Sequence, residues 1–201
     1  MTDLFNFAEF PILQTERLIL REIVRADAEA VFRIRSDYQV VQYNGGVPYT
    51  RIEQAHELIE SMAKTYREKR ELRWGITLKG DDTVIGMCGY NYWSRQDYRA
   101  SIGYDLERAY WGQGIMPEAL QAVVQFGIER MWLNRIEADA SAENAASIRV
   151  LRKLGFQQEG IQREQYYENG AFHDLVLFSL LRRDYFHTET SWAARFSTSS
   201  P

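Results

Sequence analysis

Residues Ala100–Ala119 read ASIGYDLERAYWGQGIMPEA, and three patterns succeed one another inside this stretch. Ile102, Tyr104 and Leu106 alternate with period two, the signature of a strand. The alternation stops at Glu107-Arg108 and gives way to a loop holding Gly112 and Gly114. From Ile115 to Met131 apolar residues recur at helical spacing. Pro117 falls in the first turn, where an amide has no intrahelical partner to lose. A strand, a glycine loop and a helix start in this order form an anion site. Main-chain N–H groups converge there, and the helix dipole adds partial positive charge. Glycines let a bulky phosphate approach the main chain. The stretch is therefore the expected seat of a phosphate-bearing cofactor. It is not the dinucleotide pattern G-x-G-x-x-G, because Pro117 stands where the third glycine would fall, and no Gly-Lys-Ser/Thr follows to make a P-loop.

The chain has 201 residues, 45% of them apolar, enough for one well-filled core. The pattern divides it into an N-terminal arm (1–13), a single domain (14–186) and a Ser/Thr-rich flexible tail (187–201). A net charge of −4 leaves no large basic surface, so nucleic acid is not an expected partner. Cys88 is the single cysteine, which excludes an intrachain disulfide and a thiolate metal cluster. It reads as a small buried apolar residue. His56, His173 and His187 lie far apart with no paired ligand spacing, so no metal is expected. No apolar run approaches the roughly 18 residues that span a bilayer, and the first residues lack a basic segment before an apolar one. A cytoplasmic protein without a membrane partner is the expectation.

Along the chain, Leu18–Ile23 alternates as a first strand, and Asp27 is placed to cap a helix running to about Ser36. Thr50 and Glu53 form a capping-box pattern opening a helix to about Lys69. Strands come next at Leu72–Leu78, Thr83 to about Trp93, and 98–106. After the long helix come a strand at Asn134–Ala140 and a helix capped by Asn144 and ended by Gly155. Two closing strands, Phe156–Tyr167 and Phe172–Arg182, flank Asn169-Gly170, a hairpin signal. The fold class is α/β with a mixed sheet of about seven strands and helices on both faces. The strands at 98–106 and 134–140, joined by a crossover helix, should run parallel, with a ligand at their carboxyl ends.

The order of elements, the loop YWGQGIMPEAL and the run Asn144–Phe156 together resemble the GCN5-related N-acetyltransferase (GNAT) superfamily, and within it the Rim-type branch that acetylates N-terminal amines of ribosomal proteins. The resemblance covers roughly residues 14–183. Its loop pattern, Q/R-x-x-G-x-G/A, falls on residues 111–116, where Gly114 matches while Trp111 and Met116 depart. The second motif, N-x-x-S-x-x-x-L-x-K-x-G-F, is complete in Asn144, Ser147, Leu151, Lys153, Gly155 and Phe156. The resemblance implies a mostly antiparallel sheet whose one parallel pair splays to admit coenzyme A, with acetyl-CoA as cosubstrate and no metal.

Acetyl transfer from a thioester to an amine requires a held cofactor, a polarised carbonyl, a neutral amine and a stabilised leaving thiolate. For the cofactor, the expected contacts are the loop residues Trp111, Gly112, Gln113, Gly114, Ile115 and Met116, chiefly through the amides of residues 113–116. The main chain at Asp105 and Leu106 would pair with the pantetheine arm as an added strand. Asn144 caps its helix and lies beside the cofactor. Ser147, in the first turn, is placed to donate to the departing thiol. For the base, the family's A-E-I-G-Y carboxylate position holds Ser101. Tyr104, Glu164, His173 and Asp174 are the candidates, of which His173 and Asp174 point to opposite faces of their strand, with a water chain the substitute. The implied activity is acetylation of a primary amine, on a protein N-terminus such as a ribosomal protein's or on a small molecule, by direct attack in a ternary complex. The net negative charge suits a cationic acceptor. The alternative is a non-catalytic acyl-CoA-binding or interaction module on the same scaffold. Monomer and homodimer are both compatible with the sequence.

Overall fold

The computed structural model describes residues 8–44, 47–168 and 170–186. Two short strands come first, β1 (Leu13–Gln14) and β2 (Leu18–Arg21), followed by the helices α1 (Ala28–Ser36), α2 (Tyr38–Val41) and α3 (Ile52–Arg67). A meander comes next: β3 (Leu72–Leu78), β4 (Asp81–Ser94) and β5 (Arg99–Leu106). The long helix α4 (Ile115–Glu129) crosses to β6 (Arg135–Ser141), and α5 (Ala145–Lys153) leads into the hairpin β7 (Gln157–Glu168) and β8 (Ala171–Leu181).

The strands lie in the order β1-β2-β3-β4-β5-β6-β8-β7, and β5 with β6 is the parallel pair. The described residues thus hold eight strands where periodicity predicts about seven. The addition is β1, whose two residues are too few to display a period. Residues 8–13 of the N-terminal segment are docked. The Trp74 indole donates to the Pro11 carbonyl at 2.6 Å, the Tyr66 hydroxyl donates to that of Glu9 at 3.0 Å, and the Phe10 ring packs between them. Residues 187–201 and Asn169, the first residue of the hairpin turn, lie outside the described residues. Gly170 takes the left-handed φ of +83° that such a turn needs.

Two caps differ from their sequence reading. Asp27 precedes α1, but its carboxylate accepts from the Val24 amide and the Arg21 guanidinium, each at 2.8 Å, and makes no cap bond to the helix. At α3 the box is shifted by one residue. Arg51 is the extended N-cap, and Gln54, not Glu53, turns back to accept from the amides of Thr50 (2.8 Å) and Arg51 (3.1 Å).

Each face of the sheet carries its own core. Trp74, Tyr90, Ile102, Leu120, Val124 and Phe178 fill the side covered by α4 and α5. Val31, Ile34, Ile59, Val84 and Met87 fill the side under α1 and α3. Burying apolar area on both faces is what makes a strongly hydrophobic α4 and β4 compatible with water. Cys88 is fully buried, and burial pushes its thiol up to about 12, the condition of an inert core residue.

Candidate active site

The parallel pair is joined only at its start. β5 and β6 pair at Arg99/Arg135, Ala100/Ile136 and Ser101/Glu137, and beyond these the two strands part. Parity decides which main-chain groups face the gap. The Glu107 amide donates to the Ile85 carbonyl, so odd-numbered residues of β5 spend their N–H and C=O on β4. Even-numbered ones point to β6, as the bond from the Asn134 amide to the Tyr98 carbonyl (2.7 Å) confirms. Tyr104 and Leu106 therefore line the gap with their main chain. Asp105, expected to pair with the pantetheine arm, does not, because its peptide groups are turned to β4. On β6 the alternation is the reverse: the bond from the Arg182 amide to the Asn134 carbonyl gives even residues to β8, leaving Asp139 and Ser141 facing β5.

The glycine loop closes the carboxyl end of the gap. Gly112 (φ +73°) and Gly114 (φ +76°) both adopt the left-handed backbone, and Gly114 is the N-cap of α4. Among the described residues, the amides of Gln113, Gly114, Ile115 and Met116 donate to no main-chain carbonyl. They form an unfilled row of donors at a helix N-terminus. Trp111 behaves otherwise than expected. Its indole N–H donates to the Leu106 carbonyl at 2.7 Å, which ties the loop to the end of β5 and occupies an acceptor the gap would otherwise offer. Arg17, in the β1–β2 connection, has no sequence motif to announce it, yet reaches this loop. Its Nε pairs with Glu118 Oε2 at 2.6 Å and its Nη1 donates to the Gln113 carbonyl at 3.0 Å. Its Nη2 lies 3.5 Å from where a Cβ of Gly114 would stand. Thr15 and the Arg17 amide also donate to Glu118, and these bonds hold its carboxyl below the usual carboxylate range despite partial burial. The charge of Glu118, beside the anion loop, is thus compensated by Arg17.

At the start of α5, the Asn144 side chain accepts from the Ser147 amide at 3.0 Å, the cap its position predicts. This orients the first turn so that Ser147 Oγ meets the Tyr104 hydroxyl at 2.7 Å. Burial pushes the Tyr104 phenol up to about 12, Ser147 opposes the shift, and the charge of Asp139 adds to it. At neutral pH Tyr104 keeps its proton and is a donor.

Of the other candidate bases, the structure brings neither Glu164 nor His173 to that pair. Glu164 is exposed on the edge strand β7, in a bulge with φ +52°, its amide bonded to Asp174 Oδ1 at 2.8 Å. His173 stacks on Tyr166, with Nδ1 3.2 Å from Glu143 Oε1 and Nε2 3.1 Å from the Glu168 carbonyl. These acceptors, Glu168 first, raise its pKa and favour the imidazolium, which has no lone pair to take a proton. Asp139 belongs to none of the sequence motifs. It faces the gap from β6, keeps contact with solvent, and has its pKa raised by desolvation. A carboxylate set between two small residues, Ala138 and Ala140, near the carboxyl end of the strand is the signal that could have found it.

Among the described residues, no group of three or more His, Cys, Asp or Glu side chains is placed to hold a metal ion, and no helix is long and apolar enough to cross a membrane.

A mixed sheet opened at its one parallel pair, with a donor-rich loop at the mouth, is the architecture of an enzyme that transfers acyl groups from coenzyme A. A family model described as acetyltransferase (GNAT) domain matches residues 17–157. The uncharacterized N-acetyltransferase YoaA of Bacillus subtilis (strain 168) is 40% identical over 173 residues, 86% of this chain and 98% of that protein. The ribosomal-protein-serine acetyltransferase of Escherichia coli (strain K12) is 30% identical over 99 residues, 49% of this chain and 55% of that one. Among solved structures, RimL, a ribosomal L7/L12 alpha-N-protein acetyltransferase in complex with coenzyme A, superposes with a TM-score of 0.77 at 22% identity, over 85% of this chain and 98% of that one, a likeness of fold. The chain belongs to the GNAT acetyltransferase family. It is an N-acetyltransferase.

Proposed function

We propose that the protein moves the acetyl group of acetyl-CoA to a primary amine by direct attack within a ternary complex. The observation that carries this reading is the Tyr104–Ser147 hydrogen bond of 2.7 Å at the edge of the β5/β6 gap. A proton-bearing pair beside the gap supports Ser147 as the donor to a leaving sulfur. The amides of residues 113–116 and the Arg17 guanidinium would take the diphosphate of coenzyme A, and the main chain of Tyr104 with the Leu106 amide would receive the pantetheine arm. A main-chain N–H in the gap then donates to the thioester oxygen, where negative charge develops during attack. Asp139 accepts the proton of the incoming ammonium; a carboxylate with a raised pKa is a better acceptor for it than an unperturbed one. As the C–S bond breaks, Ser147, held by the Tyr104 hydroxyl, passes its proton to sulfur and takes up the second proton that the amine nitrogen sheds as the amide forms, so neither hydroxyl is left ionised. The family resemblance and the RimL likeness support a protein N-terminal amine, such as a ribosomal protein's, as one acceptor class; small amines form the other.

Thiol release from acetyl-CoA across a panel of N-terminal peptides and small amines tests the reading. Turnover with at least one class is expected. Calorimetry detecting no uptake of acetyl-CoA by the folded protein would overturn it.

A further inference from the structure

The amine half of the site opens on the α1/α3 face of the sheet, and any preference among acceptors there presupposes acetyl transfer at this site. Arg73 on β3, Gly89 on β4 and Gly103 on β5 stand opposite one another across three neighbouring strands. Extending the β5/β6 register from Ser101/Glu137 by two residues carries this row to Asp139. The interior members are glycines: the Asn91 amide fills the place a Cβ of Gly103 would take, 2.2 Å from it, and Gly89 packs against the main chain of Leu72 and Arg73, so the row carries no side chain of its own between its two charged ends. With paired strands about 4.8 Å apart and β5 parted from β6 at this level, the backbone at the two ends of the row is at least about 15 Å apart. Asp139 provides a base at one end.

At the other end the charges do not balance. Asp105, with 5% of its side chain exposed, receives Arg35 Nη1 at 3.1 Å on one oxygen and the Asn44 amide on the other. Arg73, 17% exposed, stops 4.0 Å from the same carboxylate, beyond hydrogen-bond reach. Its Nε is buried with no partner, and so is that of Arg35, whose guanidinium also lies over the Tyr49 ring. Among the described residues, no other carboxylate pairs with either arginine. Two guanidiniums against one carboxylate leave a positive charge with unfilled donors in a place water scarcely reaches. Such an arrangement is unfavourable until an anion completes it. Paired planar guanidiniums match a carboxylate better than any neutral group.

We propose that the acceptor carries a carboxylate near its amine, received by Arg73 and Arg35 while the amine lies at Asp139. The chain's net negative charge points to a cationic acceptor; the local charge on this face points to a zwitterionic one. Free amino acids and peptides with Asp or Glu close to the N-terminus present the same chemistry.

The test uses the full-length protein with acetyl-CoA and matched acceptor pairs: amino acids against their primary amides, and N-terminal peptides with Asp or Glu against the same peptides with Asn or Gln. In the wild type, kcat/KM for the carboxylate member is expected to exceed that of its neutral partner at least tenfold, and the pair set that responds identifies the source. Arg73→Gln should collapse that ratio towards one through KM, and Arg73→Lys should retain part of it. Equal kcat/KM within every pair, or a ratio untouched by Arg73→Gln in a variant that still binds acetyl-CoA, overturns the proposal. Those results leave the acetyl-transfer reading standing; absence of turnover with every amine defeats that reading instead.

Discussion

In the proposed mechanism the leaving group is served by a single hydrogen-bonded hydroxyl pair, Ser147 and Tyr104. A hydroxyl is a poor acid by itself, but a buried phenol held up to about 12 can pass hydrogen-bond strength through it. Ser147→Ala should therefore lower kcat by about 10²-fold, the low end of general-acid effects. Acetyl-CoA affinity should change little, which steady-state kinetics and calorimetry on the same preparation can separate. Asp139 gives a prediction with a sign. Its base function needs the carboxylate, so activity should fall as pH drops through its raised pKa, and Asp139→Asn should remove that limb along with most of the turnover. The linkage for stability runs the other way. A carboxyl whose folded pKa lies above its unfolded value binds its proton more tightly in the fold, so stability declines as pH rises through that window. Asp139→Asn should raise the melting temperature at pH 7 while lowering activity, a combination that thermal melts beside pH–rate profiles will reveal.

The loop from Glu107 to Ile115 works as one element because it is fastened both from within and from outside. Trp111 pins it to β5, the Gln113 side chain donates to the Ala109 carbonyl at 2.8 Å, and Arg17 clamps it from the β1–β2 connection. The family pattern places a cationic or amide side chain at the position of Trp111, and in this chain Arg17 brings the positive charge from almost a hundred residues earlier. A charged side chain at a diphosphate gains from proximity to the helix dipole and its open amides. Arg17→Gln should weaken acetyl-CoA binding about tenfold, at the scale of one charge-assisted hydrogen bond. Its effect on acetyl-pantetheine, which lacks the diphosphate, should be small. Equal losses for the two ligands would mean that Arg17 only shapes the loop.

The whole molecule depends on a close fit between α4 and the strand beneath it. Tyr90 is buried completely and its hydroxyl donates to the Val123 carbonyl at 2.8 Å, in a groove left open by Gly127. A Cβ on Gly127 would lie 2.0 Å from that hydroxyl. Gly127→Leu should therefore destabilise the fold by about 3 kcal/mol or more, the upper range of overpacking, in spite of leucine's better helix propensity. Denaturant unfolding would measure it. α4 crosses from the loop to β6, so its seat on β4 fixes where β6 starts relative to β5, and the pairing ends after Ser101/Glu137.

The sequence by itself determined the run of strands and helices, the parallel crossover, the glycine loop at the helix start and the Asn144 cap, because each is a local matter of period, steric freedom or a side chain bonding three residues ahead. It also put Ser147 and Tyr104 on the right elements. Only the tertiary structure decided that these two touch, that Asp105 turns its peptide groups away from the gap while Tyr104 offers its own, that Arg17 reaches the glycine loop, and that Arg73 and Asp139 fall on one row across the sheet. Strand parity against a neighbour, and contacts between residues many positions apart, are set by how the sheet closes, and no local pattern in the chain encodes them.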